Sequence, residues 1–118
     1  MANQFEGNRK EFLDLLSENP GVFIFKFTAE WCKPCQIIKE DVQHYFREIT
    51  SEKIKCFEVD VDENFDLYAF MKTKKMIKGI PMLMAFKKGN IEYYPDNSIS
   101  GTNLNEIKTF FDCAEKMI

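Results

Sequence analysis

The sequence predicts one α/β domain spanning residues 1–118, with a mixed central β-sheet of four to five strands flanked by about four helices. Three observations lead there. A chain of 118 residues sits near the common size of a single domain and leaves little room for a second core. Helix-type and strand-type apolar patterns alternate through its first seventy residues, which implies right-handed parallel crossovers. Two further strand signals then flank a glycine-containing turn, adding an antiparallel pair before a closing helix.

Taken in order, Phe5, Phe12 and Leu16, with Leu13 and Leu15 beside them, recur at helical spacing until Asn19-Pro20-Gly21 stops the pattern. Val22 to Phe27 is an almost continuous run of Phe and β-branched residues, as a strand covered on both faces requires. From Cys35 onward Ile38, Val42, Tyr45, Phe46 and Ile49 share one helical face and Lys39, Glu40 and Arg47 the other, so a long second helix begins at the cysteines. Ile54 to Val61 reads as a strand, and Asp62-Glu63-Asn64 supplies turn and capping groups before a helix around Phe65 to Lys72. Met82 to Phe86 and Ile91 to Tyr94 are expected to form a hairpin across Lys87-Lys88-Gly89-Asn90. Leu104, Ile107, Phe110, Phe111 and Ala114 mark a last helix that Asn103 is placed to cap.

Composition narrows the function. Hydrophobic residues make up 45% of the chain, 12 of them Phe, enough to offset chain entropy without disulfide staples. The net charge of -3 combines 16 basic with 19 acidic residues, with no concentrated positive field of the kind nucleic-acid binding demands. Arg9, Lys10, Glu11 and Asp14 interrupt the first twenty residues, so no signal-peptide core is present. The longest apolar runs are strand-length, too short to span a bilayer. The expected location is the cytoplasm, without membrane association. Of the four cysteines, Cys32 and Cys35 are close and Cys56 and Cys113 stand alone, a pattern suited to a reducing compartment rather than a secreted framework.

The segment Trp31-Cys32-Lys33-Pro34-Cys35 sets two thiols one turn apart where a strand runs into a helix. Pro34 suits the first helical turn, where its missing N–H has no intrahelical partner. Cys32 meets unpaired backbone N–H groups and the positive end of the helix dipole, which favour a thiolate. Cys32 is therefore the expected nucleophile and Cys35 the resolving thiol that displaces a mixed disulfide. Lys33 adds a nearby positive charge worth at most about 1 kcal/mol. The same spacing serves as half of a zinc site, but the remaining ligands are missing, since Cys56, Cys113 and His44 are scattered singly. No metal is expected.

Several motifs, in order and at matching separations, resemble the thioredoxin family over nearly the whole chain. They are Trp31-Cys32-Lys33-Pro34-Cys35, Val59-Asp60-Val61-Asp62, Gly79-Ile80-Pro81, Phe86-Lys87-Lys88-Gly89 and Gly101. The resemblance implies the thioredoxin fold and a cis Ile80–Pro81 peptide beside the cysteines, with the Ile80 backbone pairing to substrate. It implies a rim for disulfide-containing protein substrates made by Trp31, Lys33, Pro34, Ile80, Pro81 and the loop before Gly101. It also implies recharging by an external thioredoxin reductase or small thiol, a monomer, and no bound cofactor beyond the Cys32–Cys35 disulfide.

Three positions depart from the family pattern. Lys33 stands where many members have Gly, and Met82 where Thr is common. Lys26 occupies the strand position of a buried Asp linked to proton transfer at the resolving cysteine, and Glu58 falls where some members place a Lys. Lys26 and Glu58 are then the same pair with charges exchanged, and Glu58 is a candidate proton acceptor for Cys35; otherwise Lys26 snorkels to solvent and water takes the proton. Cys56 reads as a small buried hydrophobe on the strand face of Glu58, and Cys113, about 110° from the stripe of the last helix, as partly exposed filler. His44 and the lysines Lys72, Lys74, Lys75 and Lys78 read as solvated surface, the lysines with the further capacity to steer an acidic partner. The function expected is a protein-disulfide reductase; a disulfide oxidase or isomerase of the same fold, and a non-enzymatic binding subunit, are the alternatives.

Overall fold

The computed structural model describes residues 2–118. In chain order its elements are β1 (Asn3–Gln4), α1 (Arg9–Leu16), β2 (Val22–Thr28), α2 (Lys33–Ile37), α3 (Lys39–Glu48), β3 (Ile54–Asp60), α4 (Phe65–Thr73), β4 (Met82–Lys87), β5 (Asn97–Ser100) and α5 (Leu104–Glu115). The strands form one sheet in the order β1-β3-β2-β4-β5. β3 runs parallel to β2 and to β1, whereas β4 is antiparallel to both β2 and β5.

Strand alternation in the central β2 divides the interior into two cores. Phe23, Phe25 and Phe27 point to one face and pack with Phe5, Phe12, Leu16, Phe57, Leu67, Met71 and Phe86 under α1 and α4. Val22 and Ile24 point to the other and pack with Val42, Phe46, Cys56, Ile107 and Phe110 under α3 and α5. Both faces are covered, which is why β2 reads as an unbroken apolar run. Gly21 is required at the entry to β2, because a Cβ there would stand 2.7 Å from the Lys53 carbonyl oxygen. Asn19, buried, ties the same corner to β4 by donating to the Phe86 carbonyl at 2.8 Å. Among the described residues no helix is long and apolar enough to cross a membrane.

The structure corrects four expectations. Phe5 is not in the first helix, because Asn8 and Glu11 form a reciprocal cap that starts α1 at Arg9. Phe5 instead continues the β1 segment, its N–H donating to the Glu58 carbonyl at 2.9 Å and its ring meeting Phe12 edge-on. The long second helix is two, divided at Ile38, whose backbone leaves helical geometry (φ -96, ψ 1) as its side chain is buried. Asn64 precedes α4 but makes no capping bond; its side chain donates to the carbonyls of Phe5 and Asp60, and Asp60 Oδ1 accepts the N–H groups of Asp62 and Glu63.

The fourth correction concerns the hairpin. β4 pairs with Asn97–Ser100, not with Ile91–Tyr94. Side chains hold residues 90–96 as a loop: Asp96 Oδ2 accepts the Lys87 N–H at 2.7 Å, and the Asn90 amide donates to the Tyr94 carbonyl. Tyr93 turns away from the sheet to stack on Phe12 and lean on Phe70. Asn103 caps α5 as expected, accepting the Glu106 N–H.

Candidate active site

The site forms where the C-terminal end of β2 meets α2. Past Thr28 the chain is pinned by the Ala29 carbonyl, which accepts the Cys32 N–H at 3.2 Å and the Gln36 side-chain amide at 3.1 Å. Cys32 is the N-cap of α2 in extended backbone (φ -85, ψ 105), and its Sγ accepts the Cys35 N–H at 3.2 Å. Pro34 occupies the first turn of α2. The two cysteines are joined as a disulfide with their Cα atoms 5.2 Å apart. Cys35 is fully buried and Cys32 nearly so.

Three chain segments converge on this pair. The Ile80 carbonyl oxygen lies 3.7 Å from Cys32 Sγ, and the Ile80–Pro81 peptide is cis. The Pro81 carbonyl accepts the N–H of Gly101 at 3.1 Å, so the loop between β5 and α5 closes against the proline; Gly101 has φ +97, a backbone that only glycine adopts readily. Trp31 is 66% exposed, and its indole N–H donates to Asp62 Oδ2 at 2.8 Å. An exposed indole held at one end is a preformed apolar contact surface. Lys33 and Pro34 are also exposed.

The sequence places Asp62 in the turn after a strand and in the Val59-Asp60-Val61-Asp62 motif, but gives it no role at the site. Its bond to Trp31 spans 31 residues, and the one local hint was a carboxylate at the end of the strand beside β2.

Lys26 and Glu58 do form a pair. They are register partners on β2 and β3, with Lys26 Nζ 3.6 Å from Glu58 Oε1. The lysine side chain is 1% exposed, so it does not snorkel to solvent. Burial pushes its pKa below the ordinary lysine value, against the charge and hydrogen bond of Glu58, which pull it back up. The other Glu58 oxygen accepts from the Gln4 amide, and the carboxylate borders a groove of about 260 Å³ with Ala2, Gln43, Phe46 and Arg47. Among the described residues neither member of the pair hydrogen-bonds to Cys35.

Cys56 is buried, and desolvation drives its thiol up to about 12. Cys113 is half-buried on α5, and His44 is exposed beside Glu48 at 3.8 Å. Among the described residues no group of three or more His, Cys, Asp or Glu is placed to hold a metal ion. What the arrangement offers chemically is a two-electron couple at a helix start, one sulfur at the rim and the other behind it.

Comparison with known proteins points the same way. The thioredoxin family model matches residues 4–112. A thioredoxin of Pseudomonas aeruginosa is 33% identical over 84 residues, covering 71% of this chain and 73% of the relative. Thioredoxin 3 of Plasmodium falciparum is 30% identical over 96 residues, covering 79% of this chain and 49% of that protein. The solved structure of Trichomonas vaginalis thioredoxin superposes with a TM-score of 0.75 at 24% identity, covering 95% of this chain and 96% of the other.

Proposed function

The chain belongs to the thioredoxin family and is a thiol–disulfide oxidoreductase, and from that premise we propose how its residues carry out protein-disulfide reduction. The observation that carries the reading is the Cys32–Cys35 disulfide at the start of α2, with the Ile80 carbonyl beside Cys32. In the reduced protein the Cys32 thiolate attacks one sulfur of a substrate disulfide, forming a mixed disulfide and expelling the other sulfur as a thiolate. Cys35, losing its proton, then attacks Cys32 Sγ. That step releases the second substrate thiolate and restores the Cys32–Cys35 disulfide, two electrons having passed to the substrate. A thioredoxin reductase or small thiol returns the pair of electrons from outside, and no further cofactor takes part.

Cys32 is assigned the attack because it caps α2 and borders Ile80, whereas Cys35 has no exposure. Trp31, Lys33, Pro34, Ile80 and Pro81 form the substrate-binding rim, Trp31, Lys33 and Pro34 being exposed, Ile80 half-buried and Pro81 buried beneath it. Glu58, partly open to solvent and paired with Lys26, takes up the Cys35 proton through water. The setting proposed is the cytoplasm, with the whole chain as one domain and a monomer that engages neither membrane nor nucleic acid.

Trapping tests the roles. Cys35→Ser should accumulate a covalent mixed disulfide through Cys32 when offered a disulfide-bonded protein, and Cys32→Ser should form none and lose insulin-disulfide reduction. Adducts formed through Cys35 alone would contradict the assignment. For Glu58→Gln, a pH profile of turnover identical to wild type would remove Glu58 from the proton path.

A further inference from the structure

Four of the seven residues from 72 to 78 are lysines, all exposed, on a chain whose net charge is -3. Lys72 lies 5.7 Å over the Tyr68 ring, a contact that leaves its charge in place. Among the described residues Lys10, Lys26 and Lys108 have carboxylate partners, whereas Lys74, Lys75 and Lys78, like most lysines of the chain, have none; what sets these three apart is their clustering.

The segment is held firmly despite its exposure. The N–H groups of Met76 and Ile77 both donate to the Met71 carbonyl, at 2.8 and 3.3 Å, and both side chains are buried. Lys75, just past the end of α4, has φ +63, and it is the one non-glycine residue in the left-handed region among those described. Glycine ends helices this way without a Cβ penalty. A lysine held there keeps a cation at the cost of backbone strain, and such outliers gather at functional surfaces.

The chain runs directly from this segment to the reacting sulfur. Lys78 is two residues from Ile80, whose carbonyl borders Cys32 Sγ. At about 3.5 Å per residue, Lys78 lies within about 7 Å of Ile80 along the chain and Lys75 within about 18 Å. The other side of the site is acidic: Asp60 ends β3 and Asp62 and Glu63 follow it, and β3 flanks β2 opposite to β4. The rim is therefore polarised, negative beside β3 and positive along the segment entering β4.

We propose that Lys74, Lys75 and Lys78 form a docking surface for an acidic stretch of polypeptide beside the target disulfide, within about five extended residues of the attacked cysteine. This rests on the disulfide-reductase reading above. Carboxylates fit because the patch adjoins a site that handles polypeptide, and unpaired surface cations raise encounter rates with acidic partners in a salt-dependent way.

The test uses two disulfide-bonded peptides, identical except that three residues flanking the cysteine are Asp in one and Ser in the other, with dithiothreitol as the reductant. Wild type at low salt should show kcat/KM about tenfold higher for the acidic peptide, falling toward equality at high salt. A triple variant, Lys74→Gln, Lys75→Gly and Lys78→Gln, retains a residue suited to the positive φ and should bring the acidic-to-neutral ratio close to one, its fold verified by thermal unfolding. Turnover of both peptides at equal kcat/KM by wild type, or a preference that survives the triple substitution, overturns the proposal and leaves the reductase reading intact. Turnover of neither peptide overturns both.

Discussion

The indole N–H of Trp31 donates to the carboxylate of Asp62 across 2.8 Å, so the residue before the first cysteine is tied to the turn after β3. This bond fixes a large exposed ring beside the disulfide, which lowers the ordering cost of substrate contact. Asp62→Ala should lower kcat/KM for protein disulfides about fivefold, the equivalent of one hydrogen bond of about 1 kcal/mol. Trp31 is the single tryptophan of the chain, so its fluorescence anisotropy reports on this contact alone and should fall in the variant. Unchanged anisotropy would contradict the anchoring role.

Lys26 is buried and Glu58 only 19% exposed, so removing the acid strands a cation in the sheet. Glu58→Gln should destabilise the protein by about 3 kcal/mol in urea unfolding. Adding Lys26→Met should recover most of that loss, because an apolar side chain of similar length needs no partner. A double variant as unstable as Glu58→Gln alone would show that the pair does not control stability.

Cys56 gives a pH dependence of definite sign. Its thiol keeps its proton to about 12 in the native state but releases it at the ordinary 9.0 when unfolded. Between those values the unfolded chain binds fewer protons, so stability falls as pH rises, by about 1.4 kcal/mol per unit for one proton. Lys26 acts oppositely, since its native pKa lies below 10.5 and its contribution rises with pH only between that lowered value and 10.5. The difference in unfolding free energy between wild type and Cys56→Val should therefore shrink from pH 9 to 10.5. Parallel curves would contradict the buried-thiol assignment.

Phe12 joins the N-terminal helix to the sheet, its ring 4.8 Å from Phe25 and 5.6 Å from Phe86 with no exposure. Phe12→Ala should cost about 4 kcal/mol in urea unfolding. A loss below 1 kcal/mol would mean that this core collapses around the cavity.

Where structure follows from local pattern, the sequence disclosed it. β2 and β3 carry apolar or alternating runs, α5 carries a stripe with Asn103 ahead of it, and the cysteine spacing announces the redox pair. β1 and β5 were hidden because their residues are polar or exposed and their pairing is dictated by neighbouring edges: β1 has two residues, and β5 is the polar Asn97-Ser98-Ile99-Ser100. Ile91 to Tyr94 mimics a strand, yet Asp96, Asn90 and the Tyr93 stack on Phe12 hold it as a loop through contacts beyond any local pattern. At the site, the Trp31–Asp62 bond joins two segments 31 residues apart, and no local pattern pairs them. The Lys26–Glu58 pairing and the cis Ile80–Pro81 peptide were foreseen only through family resemblance, since neither follows from spacing.

The most direct test of Cys32 as the activated thiol is pH-dependent alkylation of the reduced protein by iodoacetamide, with each cysteine followed by peptide mass. Cys32 should react first and reach half-maximal rate well below pH 8.5, the approximate value for a free cysteine, while Cys35 stays protected. Half-maximal reaction of Cys32 at about 8.5, or earlier modification of Cys35, would contradict it.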